Sequence, residues 1–277
     1  MFTLRSRGRT LSFARPAIMG ILNCTPDSFY PVSRTSGVDS LLHRAEEMLR
    51  HGADILDIGG QSTRPGSERI PVETELARVI APVAAVRSKF PEAVISIDTY
   101  YARVAQEAVG AGADLVNDIS AGTMDPDLID TVAGLSVPYV LMHMQGQPGS
   151  MQQAPTYGNV TEEVLAFMLE NLVRLRSKGI RDIIVDPGIG FGKTADHNFE
   201  LVRNLGQFRT TGCPVLLGVS RKSFISRTLG VPPSDALTGT LVLQTIGLME
   251  GASLLRVHDV REAVQQVILW EQCLGRS

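Results

Sequence analysis

Short apolar runs recur along this chain, and most give way at their end to a side chain able to hydrogen-bond or carry charge. They are Ile18–Asn23, Asp54–Ile58, Ala93–Asp98, Asp114–Asn117, Tyr139–His143, Ile183–Asp186, Val215–Val219 and Leu254–His258. Their length and β-branched content predict strands. Between them the apolar spacing turns helical. Leu41, Leu42, Ala45, Met48 and Leu49 make one stripe, and Val164, Leu165, Met168, Leu172 and Leu175 another. Four junctions repeat one pattern: Gly52-Ala-Asp-Ile-Leu-Asp-Ile-Gly, Gly112-Ala-Asp-Leu-Val-Asn-Asp, Gly179-Ile-Arg-Asp-Ile-Ile-Val-Asp and Gly251-Ala-Ser-Leu-Leu-Arg-Val-His. Glycine there suits the residue after a helix, where the backbone turns left-handed.

Repeated βα units predict a parallel sheet. Eight of them fit a (β/α)8 TIM barrel, of about 250 residues; a doubly wound sheet is the alternative, since counting strands does not prove closure. Thr3–Phe13, with a turn at Gly8, predicts a short N-terminal β-hairpin. With no linker or low-complexity tract, residues 1–277 are expected to form a single domain.

The polar strand ends carry the functional expectation. Asn23, Asp57, Asp98, Asn117, His143, Asp186, Ser220-Arg221-Lys222, Arg256 and His258 would converge on one face, because a parallel barrel brings its strand C-termini together. Asp57 is the exception: its buried-looking neighbours suggest a capping residue. Asp98, Asn117 and Asp186 suit the donors of a flat ring. Lys222, Arg221, Arg256, Arg64 and His258 supply positive charge, and Asn23 a neutral oxygen. Arg256 and His258, two apart on one strand, share a face and make a plausible anion pair. The expected ligand has a polar heterocycle at one end and an anion at the other.

Composition narrows the classes. A net charge of −3 gives no footprint for nucleic acid. No apolar run approaches the roughly 18 residues that span a bilayer. Arg5, Arg7 and Arg9 precede no apolar segment of a secretory signal. The cysteines Cys24, Cys213 and Cys273 are widely spaced, which suits apolar fillers in a reducing cytoplasm. Only four lysines occur, Lys89, Lys178, Lys193 and Lys222. The glycine-rich Ile183–Thr194 is neither a Walker A loop, since Pro187 holds the first glycine position, nor a dinucleotide fingerprint, since Lys193 holds the third. No nucleophile elbow or H-E-x-x-H motif occurs. Lys193, at a loop-to-helix junction, is expected to be solvated, and Lys222 is the stronger candidate.

Longer motifs carry a family likeness. Met19-Gly-Ile-Leu-Asn-Cys-Thr-Pro-Asp-Ser-Phe29, Asp57-Ile-Gly-Gly-Gln-Ser-Thr-Arg-Pro-Gly66, Ser96-Ile-Asp-Thr99, Asn117-Asp118 and Leu141-Met-His-Met-Gln-Gly146 come first. Asp186-Pro-Gly-Ile-Gly-Phe-Gly-Lys193, Ser220-Arg-Lys-Ser223 and Arg256-Val-His-Asp259 follow in family order. Together they resemble the dihydropteroate synthases, from Ile18 to the C-terminus.

That resemblance implies a (β/α)8 enzyme of folate biosynthesis and a sulfonamide target. It would join dihydropterin-CH2-pyrophosphate to 4-aminobenzoate with Mg2+, by dissociative loss of pyrophosphate. It implies Asp98, Lys222 and Arg64 in catalysis, and a pterin subsite of Asp98, Asn117, Met142, Asp186, Phe191, Gly218, Lys222 and Arg256. Thr63, Pro65 and Ser223 would line the aminobenzoate subsite. Asn23, Thr63, Arg64, Arg256 and His258 would hold pyrophosphate, with Asn23 on the metal. A cytoplasmic homodimer is implied as well; Val264, Val267, Ile268 and Trp270 suit either its interface or core packing.

Other classes fit the barrel less well. A pterin barrel transferring methyl to a corrinoid protein lacks the Ser62-Thr-Arg-Pro-Gly and Ser220-Arg-Lys-Ser motifs. A Schiff-base aldolase on Lys222 and a non-catalytic pterin binder are the remaining alternatives.

Two departures from the family stand out. Tyr30-Pro31-Val32-Ser33-Arg34 replaces the usual Ser-Asp-Gly-Gly after Phe29, and Gln61 stands where Glu is common. Grafting Ser-Asp-Gly-Gly onto positions 30–33 is therefore expected to change the KM for 4-aminobenzoate; an unchanged KM would show that this loop does not tune the subsite.

Overall fold

All eight expected strands are present in a computed structural model, which describes residues 1–24, 34–62, 66–147, 149, 151 and 155–275, without the side chains of 34–36. The hairpin pairs β1 (Phe2–Ser6) with β2 (Arg9–Phe13). There follow β3 (Ala17–Asn23), α1 (Arg34–Arg50), β4 (Ile55–Gly59), α2 (Val72–Lys89), β5 (Val94–Asp98), α3 (Ala102–Ala111), β6 (Leu115–Asp118), α4 (Leu128–Leu135) and β7 (Tyr139–Met142). The second half holds α5 (Val160–Ser177), β8 (Ile183–Asp186), α6 (Ala195–Arg203), β9 (Leu216–Leu217), α7 (Ser223–Leu229), α8 (Leu237–Met249), β10 (Leu254–Val257) and α9 (Val260–Cys273).

Strands β3 to β8 pair in parallel in chain order, and β10 lies between β9 and β3. The last seam, between β8 and β9, is the parallel bridge Val185↔Val215, where the Val185 N–H reaches the Pro214 carbonyl at 2.9 Å. The sheet thus closes into a (β/α)8 barrel, against the doubly wound alternative. Strand β9 is shorter than expected, two residues rather than Val215–Val219. Gly218 offers no side chain to pack, and the chain then turns, the Lys222 N–H meeting the Val219 carbonyl at 3.2 Å.

Barrel strands point alternate residues inward and outward. Met19, Ile55, Leu115, Val140, Ile184, Leu216 and Leu254 share one apolar cluster with Leu4, Leu11 and Phe13 of the hairpin. Residues of the other parity, among them Ile18, Leu56, Val116, Leu141, Val185 and Leu255, pack with the helices. Both expected helical stripes face that layer: Leu41, Ala45, Met48, Val164, Met168, Leu172 and Leu175 are buried. The four junction glycines have φ of 97° (Gly52), 125° (Gly112), 92° (Gly179) and 96° (Gly251), as their pattern required.

The hairpin occupies the N-terminal end of the barrel. Ser6 Oγ donates to the Asp114 carbonyl at 2.5 Å, the Arg5 N–H to Asp182 Oδ1 at 3.0 Å and Arg7 to the Val109 carbonyl at 3.0 Å. These acceptors stand just ahead of β6 and β8 or at the end of α3. At the C-terminus, Val267 and Trp270 are core residues, whereas Ile268 is 45% exposed. Cys24 is a buried filler as expected; Cys273 is exposed and fills nothing.

Leu4 is 1% exposed inside the barrel. Leu4→Ala should cost about 2–5 kcal/mol of stability in urea titration. Activity per folded molecule should persist, because the polar strand ends lie at the opposite end. A Leu4→Ala chain as stable as its parent would show that the hairpin is no part of the core.

Candidate active site

The parity that builds the core also builds the site. Two residues beyond the inward apolar positions Ile55, Leu115, Val140, Ile184, Leu216 and Leu254 stand Asp57, Asn117, Met142, Asp186, Gly218 and Arg256. On β5 the same alternation carries Ser96 to Asp98, and Asp98 lies beside Asn117 in the register.

Arg256 bridges two carboxylates, Nε to Asp57 Oδ2 at 2.6 Å and Nη2 to Asp98 Oδ2 at 2.6 Å. Asn117 Nδ2 donates to Asp57 Oδ2 at 3.1 Å. The capping role expected for Asp57 is thereby corrected. Its carboxylate is fully buried and needs a cation, which arrives from β10, 199 residues further along the chain. Its inward parity was a usable signal in the sequence. Glu75, buried at the start of α2, was not foreseeable, since nothing in its local pattern marks it.

Burial pushes the Asp98 carboxyl up to about 7, against the pull of Arg256, while Asp57, Glu75 and Asp118 add to the rise. For Arg256, burial works against the charge, but Asp57 and Asp98 outweigh it and hold the guanidinium protonated. The facing wall has the same chemistry. Burial raises the Asp186 carboxyl, restrained chiefly by Lys222, and its Oδ1 accepts the Gly188 N–H at 2.7 Å. Lys222 donates to the Ile189 carbonyl, and its Nζ stands 4.2 Å from the centroid of the Phe191 ring. Burial pulls Lys222 down to about 7, opposed by Asp186. Gly218 lies beside this carboxylate: a Cβ there would stand in ordinary contact, 3.9 Å from Asp186 Oδ2.

Asp98, Asn117, Met142, Asp186, Phe191, Gly218, Lys222 and Arg256 thus belong to one strand-end site. The remaining expected members differ in their surroundings. Arg221 is spent on Asp259, at 2.8 and 2.9 Å, and on the carbonyls of Pro233 and Ser234, so it supplies no free charge. His258 lies just beyond the end of β10, exposed, with Nδ1 3.0 Å from Ser220 Oγ, while Arg256, two residues earlier, engages the carboxylates. Ser223 opens α7 and is exposed, and Asn23 ends β3 half-buried. Thr63, Arg64, Pro65 and positions 30–33 lie outside the described residues.

Lys193 is not solvated as expected but 2% exposed, because backbone carbonyls replace water around its Nζ. Thr194 caps α6, its Oγ1 accepting the His197 N–H at 3.2 Å. Among the described residues no group of three or more His, Cys, Asp or Glu could hold a metal ion.

A closed parallel barrel with carboxylates, an amide and cations at its strand ends defines an enzyme that binds a small polar ring. The comparisons sharpen this. The model of the pterin binding enzyme family matches residues 19–258. The dihydropteroate synthase of Haemophilus influenzae is 42% identical over 270 residues, covering 97% of this chain and 98% of that one. The Yersinia pestis dihydropteroate synthase, solved with a sulfonamide drug complex, superposes with a TM-score of 0.93 at 39% identity, covering 99% and 100% of the two chains. That of Xanthomonas albilineans, solved with 4-aminobenzoic acid, gives 0.91 at 38%, covering 99% and 98%. The chain belongs to the pterin-binding enzymes and, among them, to the dihydropteroate synthase family.

A pH dependence follows. Asp98, with its raised pKa, loses its charge as pH falls through about 7, and Lys222, with its lowered one, loses its charge as pH rises through about 7. If both charges matter, kcat/KM for the pterin substrate should peak near neutrality. A profile flat from about pH 6 to about pH 8.5 would exclude both groups.

Proposed function

We propose that this dihydropteroate synthase works by a dissociative route, its barrel carboxylates stabilising a cation on the pterin. The reaction condenses 6-hydroxymethyl-7,8-dihydropterin pyrophosphate with 4-aminobenzoate, giving 7,8-dihydropteroate and pyrophosphate. The C–O bond breaks first, and its electron pair leaves with pyrophosphate. The amine lone pair of 4-aminobenzoate then forms the C–N bond, and the nitrogen releases a proton to solvent.

One observation carries this reading. With both carboxyls ionised, the Asp57–Arg256–Asp98 group has one net negative charge in a buried setting. Such a preorganised anion favours a substrate that becomes cationic over one that is neutral. No strong general base is needed, because the attacking amine is neutral.

Asp98, Asn117 and Asp186 would accept the ring's N–H donors, with Lys222 and Arg256 beside them and Met142, Phe191 and Gly218 shaping the cavity. Thr63, Pro65 and Ser223 would line the aminobenzoate subsite; the Xanthomonas relative solved with 4-aminobenzoic acid supports such a subsite in the family. We assign competition by sulfonamides to it, in line with the Yersinia complex. Asn23, Thr63, Arg64, Arg256 and His258 would hold pyrophosphate.

The donor chemistry fits Mg2+: a half-buried Asn23 amide oxygen, without a carboxylate cage, suits an ion that keeps waters and phosphate oxygens. Bound with pyrophosphate, it would neutralise the leaving anion. Homodimerisation has support in α8, where Val242, Ile246 and Met249 are 54%, 41% and 62% exposed along one face. Three free cysteines favour a reducing cytoplasm.

The test mixes the chain with pterin pyrophosphate, Mg2+ and 4-aminobenzoate. Pyrophosphate release should require 4-aminobenzoate and cease with chelator. Asp98→Asn should lower kcat by about 10²–10³-fold; a variant of unchanged kcat would remove Asp98 from the mechanism.

A further inference from the structure

Lys193 is the only Lys or Arg among the described residues that is less than a tenth exposed. Its Nζ donates to the carbonyls of Gly188 at 3.0 Å, Phe191 at 3.0 Å and His143 at 3.3 Å, and lies 2.9 Å from His143 Nδ1. It therefore ties the loop between β8 and α6 to the end of β7. The loop lies so close to β7 that a Cβ on Gly188, whose φ is +70°, would meet the His143 carbonyl oxygen at 1.8 Å.

The rest of the loop is held from outside. Lys222 takes the Ile189 carbonyl, Tyr157 donates its hydroxyl to the Gly192 carbonyl at 2.8 Å, and Asn198 accepts the Gly190 N–H at 2.6 Å. Lys193 supplies the anchor underneath. The loop in turn gives the Gly188 N–H to Asp186 Oδ1 and carries Phe191.

We propose that Lys193 is a positioning residue for the pterin subsite, its buried Nζ fixing the loop that aims Asp186 and Phe191. The inference rests on the reading of Asp186 and Phe191 as pterin contacts. A lysine side chain gathers its hydrogens on one atom at the end of a flexible stem, which suits carbonyls converging from two segments. A planar guanidinium fork spreads its donors instead, and a thioether has none.

The experiment titrates 6-hydroxymethyl-7,8-dihydropterin calorimetrically into the full chain, Lys193→Met, Asp186→Asn and the double variant, with steady-state kinetics on each. Lys193→Met should weaken pterin binding about tenfold or more, while the KM for 4-aminobenzoate stays unchanged. Because Lys193 acts through Asp186, the double variant should bind pterin little worse than Asp186→Asn alone. Lys193→Gln, which keeps two donors, should fall between parent and Met variant, and stands in if the Met variant does not fold. Additive losses, equal losses for both substrates, or parental pterin affinity in the folded variants would each overturn the role of Lys193. Asp186→Asn with parental affinity would instead overturn the subsite reading beneath it.

Discussion

Arg256 joins β10 to β4 and β5 across the barrel interior, and much of the strand-end face depends on that bridge. Two carboxylates buried side by side repel one another and lose their hydration. Removing one partner from a buried ion group typically costs about 3–5 kcal/mol, because the remainder is left uncompensated. Asp57 has no exposed surface, and Arg256 Nε at 2.6 Å is the cation that meets its carboxylate. Asn117 donates to the same Asp57 oxygen. The arrangement therefore holds Asp98 at the cavity wall through its neighbours as much as through its own strand.

Around that bridge the barrel divides its labour by depth. One residue parity fills the lower interior with apolar side chains, sealed by the hairpin. Two residues further along the same strands, the same parity delivers the polar set. Stability and chemistry thus share strands but occupy opposite ends, a separation this fold allows because its active sites form at the strand C-termini. The low-dielectric floor also explains the electrostatics. Burial raises Asp98 and Asp186 and lowers Lys222, so these groups titrate nearer neutrality than they would in water.

The loop after β8 shows how a glycine-rich turn becomes a rigid wall. Its carbonyls at Gly188, Ile189, Phe191 and Gly192 each meet a lysine or hydroxyl donor. Lys193 and Lys222 both donate to this backbone, the first buried and the second half-buried. Sequence proximity to a helix start suggested a solvated Lys193; the carbonyls that desolvate it are arranged only once β7 and β8 are paired.

From sequence alone, the eight strands, both helical stripes and the junction glycines were legible, because strand and helix periodicities and the left-handed turn are local properties. So was the membership of Asp98, Asn117, Asp186, Lys222 and Arg256 in one site, since parallel strands bring their ends together. The motifs named the family. Tertiary structure decided the rest: closure through Val185↔Val215, the pairing of Asp57 with an arginine 199 residues away, the capture of Arg221 by Asp259 and the burial of Lys193. Each of these is a contact between distant segments. Periodicity reports which face a residue occupies, but the partner that meets it there is set by closure of the barrel.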